Sequence, residues 1–310
     1  MNRVRHLLEV DDLSRSELLE ILDRSEVRRP PAMLAGAGAT LLFEKPSART
    51  RSSMEMAVVQ LGGHPLSFRN EEVGIDTRES AEDLARLFSA VTELIGARVF
   101  GHDKVERLAA AATVPVVNML SDDAHPLQTL ADLLTVRQHR GSLEGAVLAY
   151  VGDANNVARS LAIGCALVGA ELRISSPPGY AFDAGDVDRI ASAGRAPEVI
   201  EDPYEAVAGA DVVYTDTWYS MGQEDEKVVR REAFARWQVD QALMDAAGAA
   251  AVFLHCLPAH RGDEATDEVL DGSRSRIWAQ AENRMHTARG LLWWLMDARA
   301  GSGTGAHRAV

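Results

Sequence analysis

The run Ser47-Ala48-Arg49-Thr50-Arg51 places hydroxyl and guanidinium donors at what reads as the start of a helix. It follows an apolar stretch, residues 40–43, that reads as a buried strand. After it, Met54, Ala57, Val58 and Leu61 recur at helical spacing, and Gly62 and Gly63 are placed to end the helix. Strand, turn and helix in that order aim unpaired backbone N–H groups, and the positive end of the helix dipole, at one spot. Ser47 and Thr50 add hydroxyl donors, and Arg49 adds a planar fork suited to a phosphate or carboxylate. The turn is not glycine-rich, so it differs from a nucleotide P-loop. The same residues also describe an ordinary capped helix flanked by solvated arginines, and this stretch alone does not separate the two readings.

Other reactive side chains stand at the ends of other apolar runs. Arg98 follows residues 94–97, a second strand-end arginine that turns the first into a coherent anion clamp. After the apolar run 114–117 comes Ser121-Asp122-Asp123-Ala124-His125-Pro126-Leu127-Gln128. With a helix starting at Pro126, His125 is its cap and Gln128 lies in its first turn. His125 can then donate to a carbonyl oxygen, and Gln128 can both accept and donate. A histidine beside a proline is equally compatible with a packed turn.

Three further runs carry polar ends. Val151-Gly152-Asp153-Ala154-Asn155-Asn156-Val157 sits where a dinucleotide turn would, but Asn155 and Asn156 replace the glycines that let a pyrophosphate approach. It reads as a polar grip for a smaller ligand. Asp216-Thr217-Trp218-Tyr219-Ser220-Met221-Gly222 opens with a carboxylate that suits an ammonium group or, equally, a loop cap. His255-Cys256-Leu257-Pro258 raises zinc binding or a thiolate nucleophile. No second Cys/His pair stands at finger-like spacing, so no metal site is expected, and nothing independent supports a nucleophilic Cys256.

The elements that must hold these residues follow a single pattern. Apolar runs at 40–43, 94–99, 114–117, 147–151, 172–174, 212–214 and 251–254 alternate with amphipathic helical segments, which predicts α/β architecture with parallel sheets. Ser14-Arg15-Ser16-Glu17 has the form of a capping box. A long helix, 125–139, ends at Arg140-Gly141-Ser142, and a fresh strand follows, so a domain boundary is placed there. A last helix is read over 284–298, and the glycine-rich stretch after it is read as a mobile tail.

A chain of 310 residues, 46% hydrophobic, is long enough for two domains with real cores. The net charge of -14 offers no basic excess for nucleic acid, so an anionic small molecule would need a local basic site. Cys165 and Cys256, far apart, fit a reduced cytoplasmic protein. Residues 1–10 lack a signal-peptide core, and no uncharged apolar stretch reaches membrane-spanning length.

Taken together and in order, these stretches resemble the ornithine carbamoyltransferase family, from Phe43 to Arg284. Ser47-Ala48-Arg49-Thr50-Arg51 is similar to its Ser-Thr-Arg-Thr-Arg phosphate motif, with Ala48 in place of a hydroxyl residue, where a backbone N–H can still serve. Arg98, His125 and Gln128 match the residues that hold carbamoyl phosphate. Asn156, Asp216, Ser220 and Met221 match those that hold ornithine. His255-Cys256-Leu257-Pro258 and Glu282-Asn283-Arg284 match the closing signatures.

The resemblance implies a carbamoyl-phosphate domain over 1–140, an ornithine domain over 141–285, and a final helix with its tail, 286–310, returning to the first domain. It implies a homotrimer or an assembly of trimers, no cofactor, and a place in arginine metabolism. It implies transfer of a carbamoyl group to the δ-amine of L-ornithine, giving L-citrulline and phosphate. Ser47, Ala48, Arg49, Thr50 and Arg98 would hold the phosphate; Arg98, Thr50 and His125 would polarise the carbonyl, and Gln128 would hold its NH₂. Asp216, Cys256 and the Leu257 carbonyl would orient the neutral amine for direct attack, with Arg284 countering the oxyanion. A carbamoyltransferase for putrescine or aspartate and a non-catalytic anion binder are the competing readings.

Overall fold

The structure is a computed structural model that describes residues 4–219 and 224–301, and the elements below are those of the described residues. The chain forms two units: one holds the chain up to Leu130 and from Arg284 onward, the other is Ala131–Asn283.

In the first unit, β1 (Gly38–Phe43), β2 (His64–Arg69), β3 (Leu94–Arg98) and β4 (Val116–Leu120) form an all-parallel sheet ordered β2-β1-β3-β4. Its helices are α1 (Arg15–Glu26), α2 (Ala48–Gln60), α3 (Asn70–Val73), α4 (Ala81–Val91), α5 (His102–Ala111) and the start of α6 (Pro126–Arg140). The capping box forms: Ser14 Oγ accepts from Glu17 N–H, and Glu17 returns a bond to Ser14 N–H at 2.8 Å. Leu42, Ile95, Ala97 and Val116 from the sheet pack with Leu84, Phe88, Val105 and Leu108 from α4 and α5. Burying such side chains stabilises by about 1.5–3 kcal/mol each.

In the second unit, β5 (Val147–Val151), β6 (Glu171–Ser175), β7 (Glu198–Val199), β8 (Val212–Thr215) and β9 (Val252–His255) form a parallel sheet ordered β7-β6-β5-β8-β9. Around it lie α7 (Asn156–Val168), α8 (Ala184–Ala193), α9 (Pro203–Val207), α10 (Lys227–Phe234), α11 (Gln241–Ala247) and α12 (Asp267–Leu270). Val151, Val213 and Phe253 meet Trp218, Phe234, Trp237 and Leu243 in one core. A buried polar set crosses this unit: Tyr214 donates to Asp132 at 3.1 Å, and Gln280 Nε2 donates to the same carboxylate at 2.7 Å.

The last helix, α13 (Ile277–Gly301), starts earlier than residue 284, because Ile277 already packs in the second unit's core. From Arg284 onward it lies against elements of the first unit. Arg289 donates to the carbonyls of Ser25 and Val27 at 2.7 and 2.8 Å, and Trp294 donates to Glu20 at 3.3 Å. Gly290 permits this approach: a Cβ there would lie 2.7 Å from the Ile21 carbonyl oxygen and 2.9 Å from the Ser25 nitrogen.

Two strands, β2 and β7, lie outside the seven apolar runs. Both are edge strands. β2 is half-buried and carries Pro65, while β7 is two exposed residues, so neither has a two-sided core to impose an apolar run.

Among the described residues, no helix is long and apolar enough to cross a membrane.

Candidate active site

Strand order sets where each unit can hold a ligand. In the first unit the chain winds from β1 to β2 on one side, then crosses to β3 on the other. The carboxyl ends of β1 and β3 therefore diverge at a topological switch point, the usual crevice for ligands in such sheets. In the second unit β5 and β8 make the equivalent switch point.

The first group of candidate residues gathers at the β1/β3 switch point. Ser47 caps α2, and its Oγ accepts from Thr50 N–H at 3.2 Å. Ala48 opens the helix, so its N–H has no intrahelical acceptor. Arg98 ends β3 beside a register irregularity in the β3/β4 pairing, and its carbonyl accepts from Glu44 N–H at 2.8 Å. Arg98 Nη1 donates to Thr50 Oγ1 at 3.3 Å, and Arg284 Nη2 approaches the same oxygen at 3.4 Å. Arg284 Nη1 donates to Gln128 Oε1 at 2.5 Å. Ser47, Thr50, Arg98, Gln128 and Arg284 thus form one hydrogen-bonded set. Arg49 and Ala48 stand exposed at its rim.

His125 immediately precedes α6, with Gln128 in the first turn. It is 5% exposed. Burial, and after it the charges of Arg284, Arg98 and Arg49, push its imidazole well below the usual histidine range. The ring is therefore neutral, and a neutral ring next to three guanidiniums can donate a hydrogen bond without surrendering a proton. Ser121 Oγ supports the turn that presents it, accepting from Asn118 Nδ2 at 3.0 Å and from Ala124 N–H at 3.2 Å.

The second group lies at the β5/β8 switch point. Asn155 caps α7, accepting from the N–H groups of Val157 and Ala158 at 2.9 and 3.1 Å. Its amide donates to Asp216 Oδ2 at 3.0 Å. Cys256 Sγ donates to Asp216 Oδ1 at 2.8 Å. Among the described residues, Asn155 and Cys256 thus each hold one oxygen of the Asp216 carboxylate, and the Cys256 bond uses the S–H form of the thiol. Gly152, at φ 146, fits where a Cβ would lie 3.2 Å from Thr215 Oγ1. That hydroxyl donates to the Val151 carbonyl at 2.6 Å, tying the two strand ends together. Arg230 bridges Asp153 at 2.8 Å and the Trp218 carbonyl at 3.0 Å. Asn156 is the first residue of α7, and Leu257 follows Cys256 with a left-handed φ of 60. Ser220 and Met221 lie outside the described residues.

Asp216, His255 and Cys256 have donor atoms within 4.8 Å of one another. The imidazole has no lone pair for a cation, because Nδ1 accepts from Leu257 N–H at 2.8 Å and Nε2 faces Glu264 Oε1 at 3.1 Å. The sequence placed Asn155 in a polar grip but did not pair it with Asp216, and it passed over Glu264. Asn155 carried a signal, a capping asparagine at a strand-to-helix turn. Glu264 carried none, since its partner is fixed only by the folded turn.

Residues 5–138 match the family described as aspartate/ornithine carbamoyltransferase, carbamoyl-P binding domain, and residues 144–295 match its Asp/Orn binding domain. The chain belongs to the aspartate/ornithine carbamoyltransferase family. Within that family it is similar to proteins named ornithine carbamoyltransferase. The one from Acidothermus cellulolyticus is 47% identical over 97% of this chain and 99% of its own length. The one from Haloquadratum walsbyi is 44% identical over 96% and 99%. The solved ornithine carbamoyltransferase from Pyrococcus furiosus superposes with a TM-score of 0.90 at 41% identity, covering 95% of this chain and 98% of that one.

Proposed function

We propose that this chain transfers the carbamoyl group of carbamoyl phosphate to the δ-amine of L-ornithine, releasing L-citrulline and phosphate. The observation that carries the reading is the buried set of Arg98, Thr50, Arg284 and Gln128 beside a neutral His125, an anion and carbonyl site inside a chain of net charge -14.

Ser47, Arg49, Thr50, Arg98 and the first amides of α2, that of Ala48 among them, bind the phosphate. Arg98, Thr50 and His125 donate to the carbamoyl oxygen, and Arg284 adds charge to counter the oxyanion. Gln128, whose Oε1 accepts from Arg284, holds the carbamoyl NH₂. Asn156, Ser220 and Met221 bind the amino-acid end of ornithine. Asp216 and Cys256, with the Leu257 carbonyl, orient the δ-amine.

The neutral amine places its lone pair on the carbamoyl carbon, the bond from carbon to the phosphate oxygen breaks, and the amine's proton leaves with the phosphate. No covalent enzyme intermediate forms. Preorganised donors at the developing charge supply most of the acceleration in such reactions. In this reading the domains are residues 1–140, 141–285 and 286–310, and the enzyme is a cytoplasmic homotrimer. Met56 and Val59, exposed apolar residues on α2, support an oligomer.

Calorimetric titration with carbamoyl phosphate, paired with a citrulline assay, tests the reading. Binding together with turnover supports it; binding without turnover on any amine replaces it with the non-catalytic anion binder.

A further inference from the structure

The turn after β9 is held by a pair of side chains to which the proposed reaction gives no task. Leu257 takes a left-handed conformation, φ 60, which costs a branched residue of this kind about 1 kcal/mol or more. Something must hold it there. Leu257 N–H donates to His255 Nδ1 at 2.8 Å, so that nitrogen bears a lone pair and the ring proton sits on Nε2. Nε2 lies 3.1 Å from Glu264 Oε1, and neither side chain is more than 1% exposed. The same Oε1 accepts from His260 N–H at 2.5 Å. The His255 main chain is fixed separately, its N–H donating to Gln280 Oε1 at 2.9 Å. Beyond the turn, His260 stacks on Tyr219 at 4.4 Å and 9°, and Tyr219 donates to Asp263 at 2.9 Å.

We propose that Glu264 and His255 are positioning residues for the amine: Glu264 selects one imidazole tautomer, and that tautomer fixes the Leu257 main chain, and with it the Cys256 thiol, against Asp216. The proposal rests on the reading that Asp216, Cys256 and Leu257 orient the ornithine δ-amine. The physical logic is that of an outer partner that sets a histidine's tautomer and ring angle. With the other tautomer, two N–H groups would face each other at 2.8 Å, and Leu257 would lose the acceptor that holds its strained conformation.

The test uses the full-length enzyme with ¹⁵N-labelled histidine, and the variants Glu264→Gln, Glu264→Leu and Cys256→Ala. In the native enzyme His255 carries its proton on Nε2. Glu264→Gln keeps an acceptor oxygen, the Nε2–H signature and ornithine kcat/KM within about tenfold. Glu264→Leu loses the single tautomer and about 10–100-fold in ornithine kcat/KM. Carbamoyl phosphate affinity stays within about twofold, a split that general destabilisation would not produce.

A native His255 protonated on Nδ1 overturns the proposal, and so does a folded Glu264→Leu with unchanged ornithine kinetics. If Glu264→Leu does not fold, the native tautomer and the Glu264→Gln kinetics still decide. Unchanged ornithine kinetics in Cys256→Ala overturn the underlying reading of the turn. Impaired Cys256→Ala beside unimpaired Glu264→Leu overturns only the positioning role.

Discussion

Arg98 and Arg284, one ending a strand and the other in the first third of the last helix, donate to the same hydroxyl, Thr50 Oγ1, at 3.3 and 3.4 Å. Thr50 is thus the hinge of the anion set, and Thr50→Val, which keeps the shape and removes the oxygen, should lower kcat by about 10²–10³. Arg98→Ala should cost about 3–5 kcal/mol of transition-state stabilisation. Initial rates at saturating substrates, on variants with native circular dichroism, check both. A folded Arg98→Ala with near-normal turnover removes Arg98 from the site.

His125 ties catalysis and stability to pH. Its folded value lies well below the usual one, so the unfolded chain binds a proton that the native state refuses. The native state is therefore penalised as pH falls below about 6.5, and the penalty is absent above it. Urea titrations should show His125→Asn losing less stability than the parent between about pH 7 and about pH 5. Catalysis should show the attacking amine instead: its free value is near ~10.4, so the rate should rise from about pH 6 towards about pH 8–9. A flat rate profile with chemistry rate-limiting contradicts the neutral-amine step, and equal pH dependence in the two proteins contradicts the buried neutral imidazole.

Gly290 is a packing requirement between α1 and α13. A methyl group there would meet backbone atoms of Ile21 and Ser25 below 3.0 Å, and neither helix can yield by a side-chain rotation alone. Gly290→Ala should destabilise by about 1–3 kcal/mol in denaturant titrations, although alanine is the better helix former. A more stable Gly290→Ala would contradict the close approach.

The sheets and their strand-end residues were legible because a strand buried on both faces must be apolar throughout. Seven of the strands announce themselves in this way, and most of the runs end at a sheet's carboxyl edge; the run 114–117 stops inside β4, which continues through Asn118 to Leu120. Edge strands β2 and β7 escape the same logic, one with Pro65 and a half-buried face, the other too short and exposed. The clamp was legible from two strand ends as Arg49 and Arg98; in the fold Arg98 bonds Thr50, while Arg49 stands exposed at the rim. Arg284 was not legible in this way, because its bond to Gln128 spans 156 residues and only the family resemblance pointed to it. Asp216 was legible as a strand-end carboxylate. Asn155 was legible as a capping residue and Cys256 as a strand-end thiol, but their bonds to Asp216, and the Glu264–His255 pair, depend on how the turns fold.

The most direct measurement is the initial rate of carbamoyl transfer, at saturating carbamoyl phosphate, across L-ornithine, putrescine and L-aspartate. Putrescine lacks the α-carboxylate and leaves its donors unpaired, at roughly 1–3 kcal/mol each. Aspartate would set a carboxylate beside Asp216, where like charges repel. The account predicts citrulline from L-ornithine, putrescine weaker by at least about a hundredfold in kcat/KM, and no detectable product from aspartate. Putrescine equal to or better than ornithine, or no citrulline at all, would contradict it.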